Sequence, residues 1–159
     1  MWGTVLKRDL LGEIREEDRF HNKEELRKYL ISEIKRQGKN VVIKNLDVSL
    51  IEDLSILFNS IAAGVESLDL SGWKTSGVKN MSYMFYGCKD LESLDLSGWD
   101  VSKVKDIRWI FNNCESLKSL NLSGWDKFNF RYINDIFYNC PAPYIVFGNT
   151  IERKWIRKI

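Results

Sequence analysis

Asp69, Asp95 and Asn121 stand 26 residues apart, each between two leucines and just ahead of a Ser-Gly-Trp triplet. Side-chain oxygens at one fixed interval can form a row that accepts hydrogen bonds from a basic or polar partner. The same short polar residues can instead solvate an exposed sheet face and satisfy adjacent turns, and the sequence leaves both readings open. Calcium fits less well, because two carboxylates and an amide without a closing loop make an incomplete cage. A second candidate set is aromatic. Trp109 falls between the inward positions Ile107 and Ile110 and occupies the slot of Tyr83 one interval earlier, so it should point outward, with Tyr86, Tyr132 and Tyr138 on the same side. Exposed aromatic side chains anchor protein interfaces, which makes these five residues candidate partner contacts; a neighbouring loop covering them is the alternative. A third set, Arg153, Lys154, Trp155, Arg157 and Lys158, mixes cations with one aromatic, a combination suited to nucleic acid or an acidic protein, or to a solvated or packed terminal segment.

Catalysis finds little support. The chain has a single histidine, His21, in a charged stretch, and no glycine-rich phosphate loop, zinc-ligand spacing or nucleophile motif. No catalytic residue, metal or cofactor is therefore expected. Cys88, Cys114 and Cys140 also keep the 26-residue interval, in a slot that Ile61 fills earlier. Buried free thiols are the simplest reading of an odd number of cysteines, with one disulfide between neighbours left open.

These residues must be positioned by a repeat. Leu68-Asp-Leu-Ser-Gly-Trp73, Leu94-Asp-Leu-Ser-Gly-Trp99 and Leu120-Asn-Leu-Ser-Gly-Trp125 share one register with Phe85, Phe111 and Phe137. An earlier copy runs from Leu46 to Phe58, and its step to Phe85 is 27 residues, which one inserted loop residue explains. A fixed period of this length denotes stacked supersecondary units sharing a continuous core. Within each unit, Leu-x-Leu puts two apolar side chains on one face of a short strand. Gly72, Gly98 and Gly124 supply turns with positive φ. The apolar spacing of Val78, Met81, Met84, Phe85 and Cys88, and of Val104, Ile107, Ile110, Phe111 and Cys114, predicts a short helix after each turn, with Ser49, Ser76 and Ser102 as N-caps. Strict repetition makes Trp73, Trp99 and Trp125 a structural column.

The flanks suit the ends of such a stack. Asn22-Lys-Glu-Glu25 begins a helix with Leu26, Tyr29, Leu30 and Ile34 on one face and Gly38 at its end. Val41–Ile43 reads as the first strand and Tyr144–Phe147, beyond the helix-breaking Pro141 and Pro143, as the last. The whole chain, 1–159, is expected to form one domain: an N-terminal cap over 1–40, repeats of about 26 residues over 41–140 and a C-terminal cap and tail over 141–159. A hydrophobic content of 44% and a net charge of +2 fit a folded domain with a sizeable core and exclude a disordered or polyionic chain.

The motif Leu-Asp-Leu-Ser-Gly-Trp-Asp-x-Ser-x-Val, followed by x-x-Met-x-x-Met-Phe-x-x-Cys, resembles the BspA-like leucine-rich repeats of bacterial surface proteins and mycoplasma lipoproteins, over roughly Asn22 to Cys140. The resemblance implies an α/β fold: a short leucine-rich-repeat-like solenoid with a parallel β-sheet on one face, short helices on the other and an N-terminal capping helix. It implies binding of other molecules and no family-wide catalysis. The expected function is a non-enzymatic protein-protein interaction module, an intracellular effector or inhibitor that occludes a host protein. A shortened cell-surface adhesin and a nucleic-acid-contacting protein acting through the basic tail are the alternatives. Met1–Glu13 is interrupted by charge and no segment reaches membrane-spanning length, so the expected location is the cytoplasm, or the bacterial surface for a chain that has lost a leader.

Overall fold

The computed structural model describes residues 19–125, 136–141, 144–147 and 150–152. A helix, α1 (Lys23–Gln37), is followed by strands β1 (Asn40–Val42), β2 (Ser67–Asp69), β3 (Ser93–Asp95), β4 (Ser119–Leu122), β5 (Tyr144–Phe147) and β6 (Thr150–Glu152). All six strands lie in one sheet in chain order. β1 to β5 are parallel, and β6 returns antiparallel to β5. The fold class is thus α/β, and the strands expected near Val41–Ile43 and at Tyr144–Phe147 are present.

Register follows the repeat. Leu68 pairs with Leu94 and Leu94 with Leu120, so equivalent leucines meet in one buried column. Two aromatic columns run beside it. The rings of Phe58, Phe85, Phe111 and Phe137 follow one another with centroids 5.1, 5.9 and 5.5 Å apart. Trp73 and Trp99 stack at 5.3 Å with their planes 15° apart. A buried indole N–H needs an acceptor. Each tryptophan finds one in the preceding copy: Trp73 donates to the Ile43 carbonyl at 2.6 Å, Trp99 to Leu70 at 2.8 Å and Trp125 to Leu96 at 3.4 Å. The repeated tryptophan is therefore a core residue that also ties copy to copy.

The expected short helices over Val78–Cys88 and Val104–Cys114 do not form; both segments are turns. The reason lies in where the amides go. Leu54, Ile56 and Phe58 donate to the carbonyls of Asn80, Ser82 and Met84, and Met81, Tyr83 and Phe85 repeat the pattern onto Asp106, Arg108 and Ile110. An N–H spent on the next copy cannot bond four residues back. The amides between them close three-residue turns, as when Met84 donates to Met81. Apolar spacings of three and four mark this turn ladder as well as they mark a helix. Ser49 and Ser102 consequently cap no helix; their N–H groups bind the side chains of Asp47 and Asp100.

Helix α1 starts as the sequence predicts. The Asn22 side chain accepts the Glu25 N–H at 3.0 Å, the Glu25 carboxylate reaches the His21 N–H at 3.4 Å, and Gly38 at φ 75° ends the helix with its N–H on Ile34. The helix buries Leu26 and Leu30, and its polar side chains meet backbone groups that inner copies satisfy by stacking. In the first copy, Lys23 reaches the Ser55 carbonyl at 3.2 Å, and Arg27 reaches Leu57 at 2.8 Å and Asn59 at 3.3 Å. On the edge of β1, the Gln37 carboxamide accepts the Val42 N–H at 2.7 Å and donates to its carbonyl at 3.2 Å. Removing the guanidinium in Arg27→Ala should strand the Leu57 and Asn59 carbonyls and cost about 1–3 kcal/mol, read as a lower urea midpoint at unchanged m-value. An unshifted midpoint would show that water replaces the guanidinium at no cost.

Candidate functional site

The polar row exists, and its oxygens are occupied. Asp69, Asp95 and Asn121 pair in register on the outward side of β2, β3 and β4. Each accepts the N–H two residues ahead: Ser71 on Asp69 at 3.0 Å, Ser97 on Asp95 at 2.8 Å and Ser123 on Asn121 at 3.1 Å. Lys44 also pairs with Asp69 at 2.8 Å, and the Asn121 amide donates to Asp95 at 3.1 Å. The row thus holds the Ser-Gly turns, and its carboxylate oxygens are met by Lys44 and the Asn121 amide.

Two further columns use the same device. Asp53, Asn80 and Asp106 accept from Ser55, Ser82 and Arg108, and Asp47 and Asp100 accept from Ser49 and Ser102. Burial opposes the charge on Asp47, Asp53 and Asp69, yet the hydrogen bonds from these turns and the nearby Arg19, Lys23 and Lys44 hold all three carboxyls below their ordinary range. A carboxyl whose folded value lies below its unfolded value stabilises the fold above the unfolded value, about pH 4, and that contribution disappears as pH falls through the folded one. Urea unfolding should therefore show stability dropping below about pH 4. Asp47→Asn should flatten that drop, and an equally steep drop in the variant would contradict this assignment.

The three cysteines occupy one buried column, and none of them is in a disulfide. Cys114 donates to the Phe85 carbonyl at 3.2 Å. Burial pushes the Cys88 thiol up to about 12 and raises the Cys114 thiol as well. A thiol reagent at mildly alkaline pH should label native protein slowly and all three thiols in urea. Rapid labelling of the native chain would mean that the column is open. Among the described residues, no group of His, Cys, Asp and Glu side chains is placed to hold a metal ion.

The aromatic set divides. Tyr83 is 39% exposed and Tyr138 52%, while Trp109 and Tyr86 are half-buried. Tyr132, with Arg153, Lys154, Trp155, Arg157 and Lys158, lies outside the described residues. Tyr83 and Trp109 stack with centroids 6.1 Å apart and planes 3° apart, and Tyr86 meets Tyr83 edge-on at 5.6 Å. The Tyr86 hydroxyl accepts from the Asn113 amide at 3.3 Å, and Asn113 accepts from the Asn139 amide at 2.9 Å.

Backbone conformation singles out this column. Three sets of equivalent residues adopt positive φ. The first is Asn45, Gly72, Gly98 and Gly124, and the second is Ser60, Gly87, Asn113 and Asn139, residue types mostly suited to the left-handed region. The third is Ile56 at φ 53°, Tyr83 at 56° and Trp109 at 61°. Left-handed backbone at a β-branched or bulky residue costs of order 1–3 kcal/mol. Ile56 holds the equivalent position one copy earlier and is 53% exposed. Nothing in its residue type announces this conformation, so only the alignment of Ile56 with Tyr83 and Trp109 could have drawn attention to it.

A second feature also escaped sequence reading. Asn112 pairs in register between Tyr86 and Tyr138, is 1% exposed, and neither end of its carboxamide has a hydrogen-bond partner. Among the described residues, no helix is long and apolar enough to cross a membrane.

A family model described as "Mycoplasma protein of unknown function, DUF285" matches residues 26–145, three-quarters of the chain. No curated protein and no solved structure matches it.

Proposed function

We propose, for a chain that belongs to this mycoplasma family of unknown function, a non-enzymatic role in which the face of Ile56, Tyr83 and Trp109 docks another protein. In this reading the chain is a short, capped solenoid of the BspA-like leucine-rich-repeat kind, acting in the cytoplasm as an effector or inhibitor. The observation that carries it is the internal contrast among the left-handed columns. Two of them hold mainly glycine and asparagine, while the third holds isoleucine, tyrosine and tryptophan in the same strained conformation. Stability alone would place asparagine or glycine there as well. Large side chains kept at a conformational cost, and partly exposed, have the character of interface anchors. A rigid stack also loses little ordering entropy on docking, which favours affinity.

The polar row is the weaker docking surface, because each of its side chains already serves a turn. The test is affinity capture from lysate of the organism that encodes the chain. Wild type is compared with the double variant Tyr83→Asn, Trp109→Asn and with the double variant Asp69→Ala, Asp95→Ala. Loss of a captured protein only in the aromatic variant is expected. Loss only in the aspartate variant would move the interface to the sheet, and equal capture by all three would remove both surfaces.

A further inference from the structure

We infer that Asn112 is the polar anchor of this face and that it takes a planar carboxamide, the side chain of a glutamine or asparagine of the docking partner. The inference rests on the docking role assigned to the aromatic column and deepens it. Asn112 is buried with both its Nδ2 and Oδ1 atoms unpaired. A buried polar group left so carries its full desolvation penalty uncompensated, and native proteins hold few of them. The equivalent residue in the first copy has a solution: the Asn59 amide donates to the Tyr86 carbonyl at 3.1 Å. Two copies along, the Tyr138 carbonyl accepts the Asn113 N–H at 2.9 Å, and the Asn112 amide makes no bond equivalent to that of Asn59.

Its neighbours shape what can reach it. The column runs Asn59, Tyr86, Asn112, Tyr138, so a short side chain stands where a phenol ring would continue the stack. The Tyr86 hydroxyl reaches Asn113, the residue after Asn112, one copy further along. That contact is long, at 3.3 Å, and it is the one hydrogen bond of the Tyr86 hydroxyl among the described residues, while the ring also meets Tyr83 edge-on. Uncovered on docking, the Asn112 carboxamide would present an unpaired donor and an unpaired acceptor side by side. A carboxylate answers only the donor and an ammonium only the acceptor. A trans peptide unit points its N–H and C=O in opposite directions and cannot satisfy both ends. A primary carboxamide presents both on one edge and closes a cyclic pair.

The probe is acetamide, with acetate and N-methylacetamide as controls, titrated into the nitrogen-15-labelled full chain while the Asn112 side-chain NH₂ resonances are followed. The expected result is a saturable shift at this group, about fivefold tighter for acetamide than for either control, the size of one neutral hydrogen bond. In Asn112→Leu, which removes the observed group, the backbone amides of Asn112 and Asn113 should lose any preference for acetamide over the controls while the rest of the spectrum shows the fold intact. Asn112→Gln, which keeps the carboxamide, should retain the amide preference at the NH₂ group of the substituted side chain. No shift, equal shifts for all three probes, or contact with water alone that acetamide leaves unchanged would overturn the anchor. The two levels remain separable: partner capture lost in Tyr83→Asn, Trp109→Asn without amide selectivity removes the anchor only, whereas capture retained in that variant removes the docking role.

Discussion

Trp99→Ala should lower the stability of the chain by about 3–5 kcal/mol, a large share of the 5–15 kcal/mol that holds a typical domain together. Three losses combine. The buried indole leaves a cavity between copies, the stack on Trp73 at 5.3 Å disappears, and the Leu70 carbonyl loses its donor at 2.8 Å. In a stack where each copy contacts only its neighbours, a break at the centre severs the two ends from each other. Thermal unfolding followed by circular dichroism should show a midpoint lower by roughly 10 °C or more. Trp99→Phe keeps an aromatic ring in the column but forfeits the indole N–H, so its loss should be smaller. Equal losses for the two variants would place the energetic weight on the hydrogen bond and not on the packing.

The second large effect is on binding and has the opposite sign on stability. Ile56→Asn replaces a β-branched residue in left-handed backbone, already 53% exposed, with one that tolerates the conformation. Relief of that strain should outweigh the little burial lost and raise stability by about 1 kcal/mol. Tyr83→Asn gains similar relief but loses the Trp109 and Tyr86 ring contacts, so it should be near neutral. Binding should respond quite differently. Truncating an interface anchor typically costs about 2 kcal/mol or more, so Tyr83→Asn should weaken partner retention by about thirtyfold. A surface kept for docking is expected to improve in stability, or hold level, as it loses its function.

Much of the fold was legible because the repeat constrains it. Leu-x-Leu, Ser-Gly and the tryptophan spacing gave the strand positions, the positive-φ glycines and the buried column, and Asn22, Glu25 and Gly38 gave the helix ends. The back of each copy was misread for a physical reason. Val78, Met81, Met84 and Phe85 carry helical spacing, and no sequence pattern tells whether their amides bond within the segment or to the next copy. The same blindness hid the roles of Lys23, Arg27 and Gln37, whose targets are backbone atoms made available only by the end of a ladder. The aspartates were legible as a row with two readings, and the hydrogen bonds from the Ser71 and Ser97 amides select the one in which they satisfy adjacent turns. Asn112 could not have been found at all, since its lack of partners is a property of the packed column.

The most direct test joins the two quantities in one protein. The double variant Tyr83→Asn, Trp109→Asn is prepared beside wild type, and urea unfolding and retention of the captured partner are measured on the same samples. A face built for docking predicts a cooperative transition within about 1–2 kcal/mol of wild type, because strain relief offsets lost ring contacts, together with partner retention reduced by about thirtyfold or more. Full retention of the partner with a sharply lowered unfolding midpoint would make these side chains structural and contradict the account.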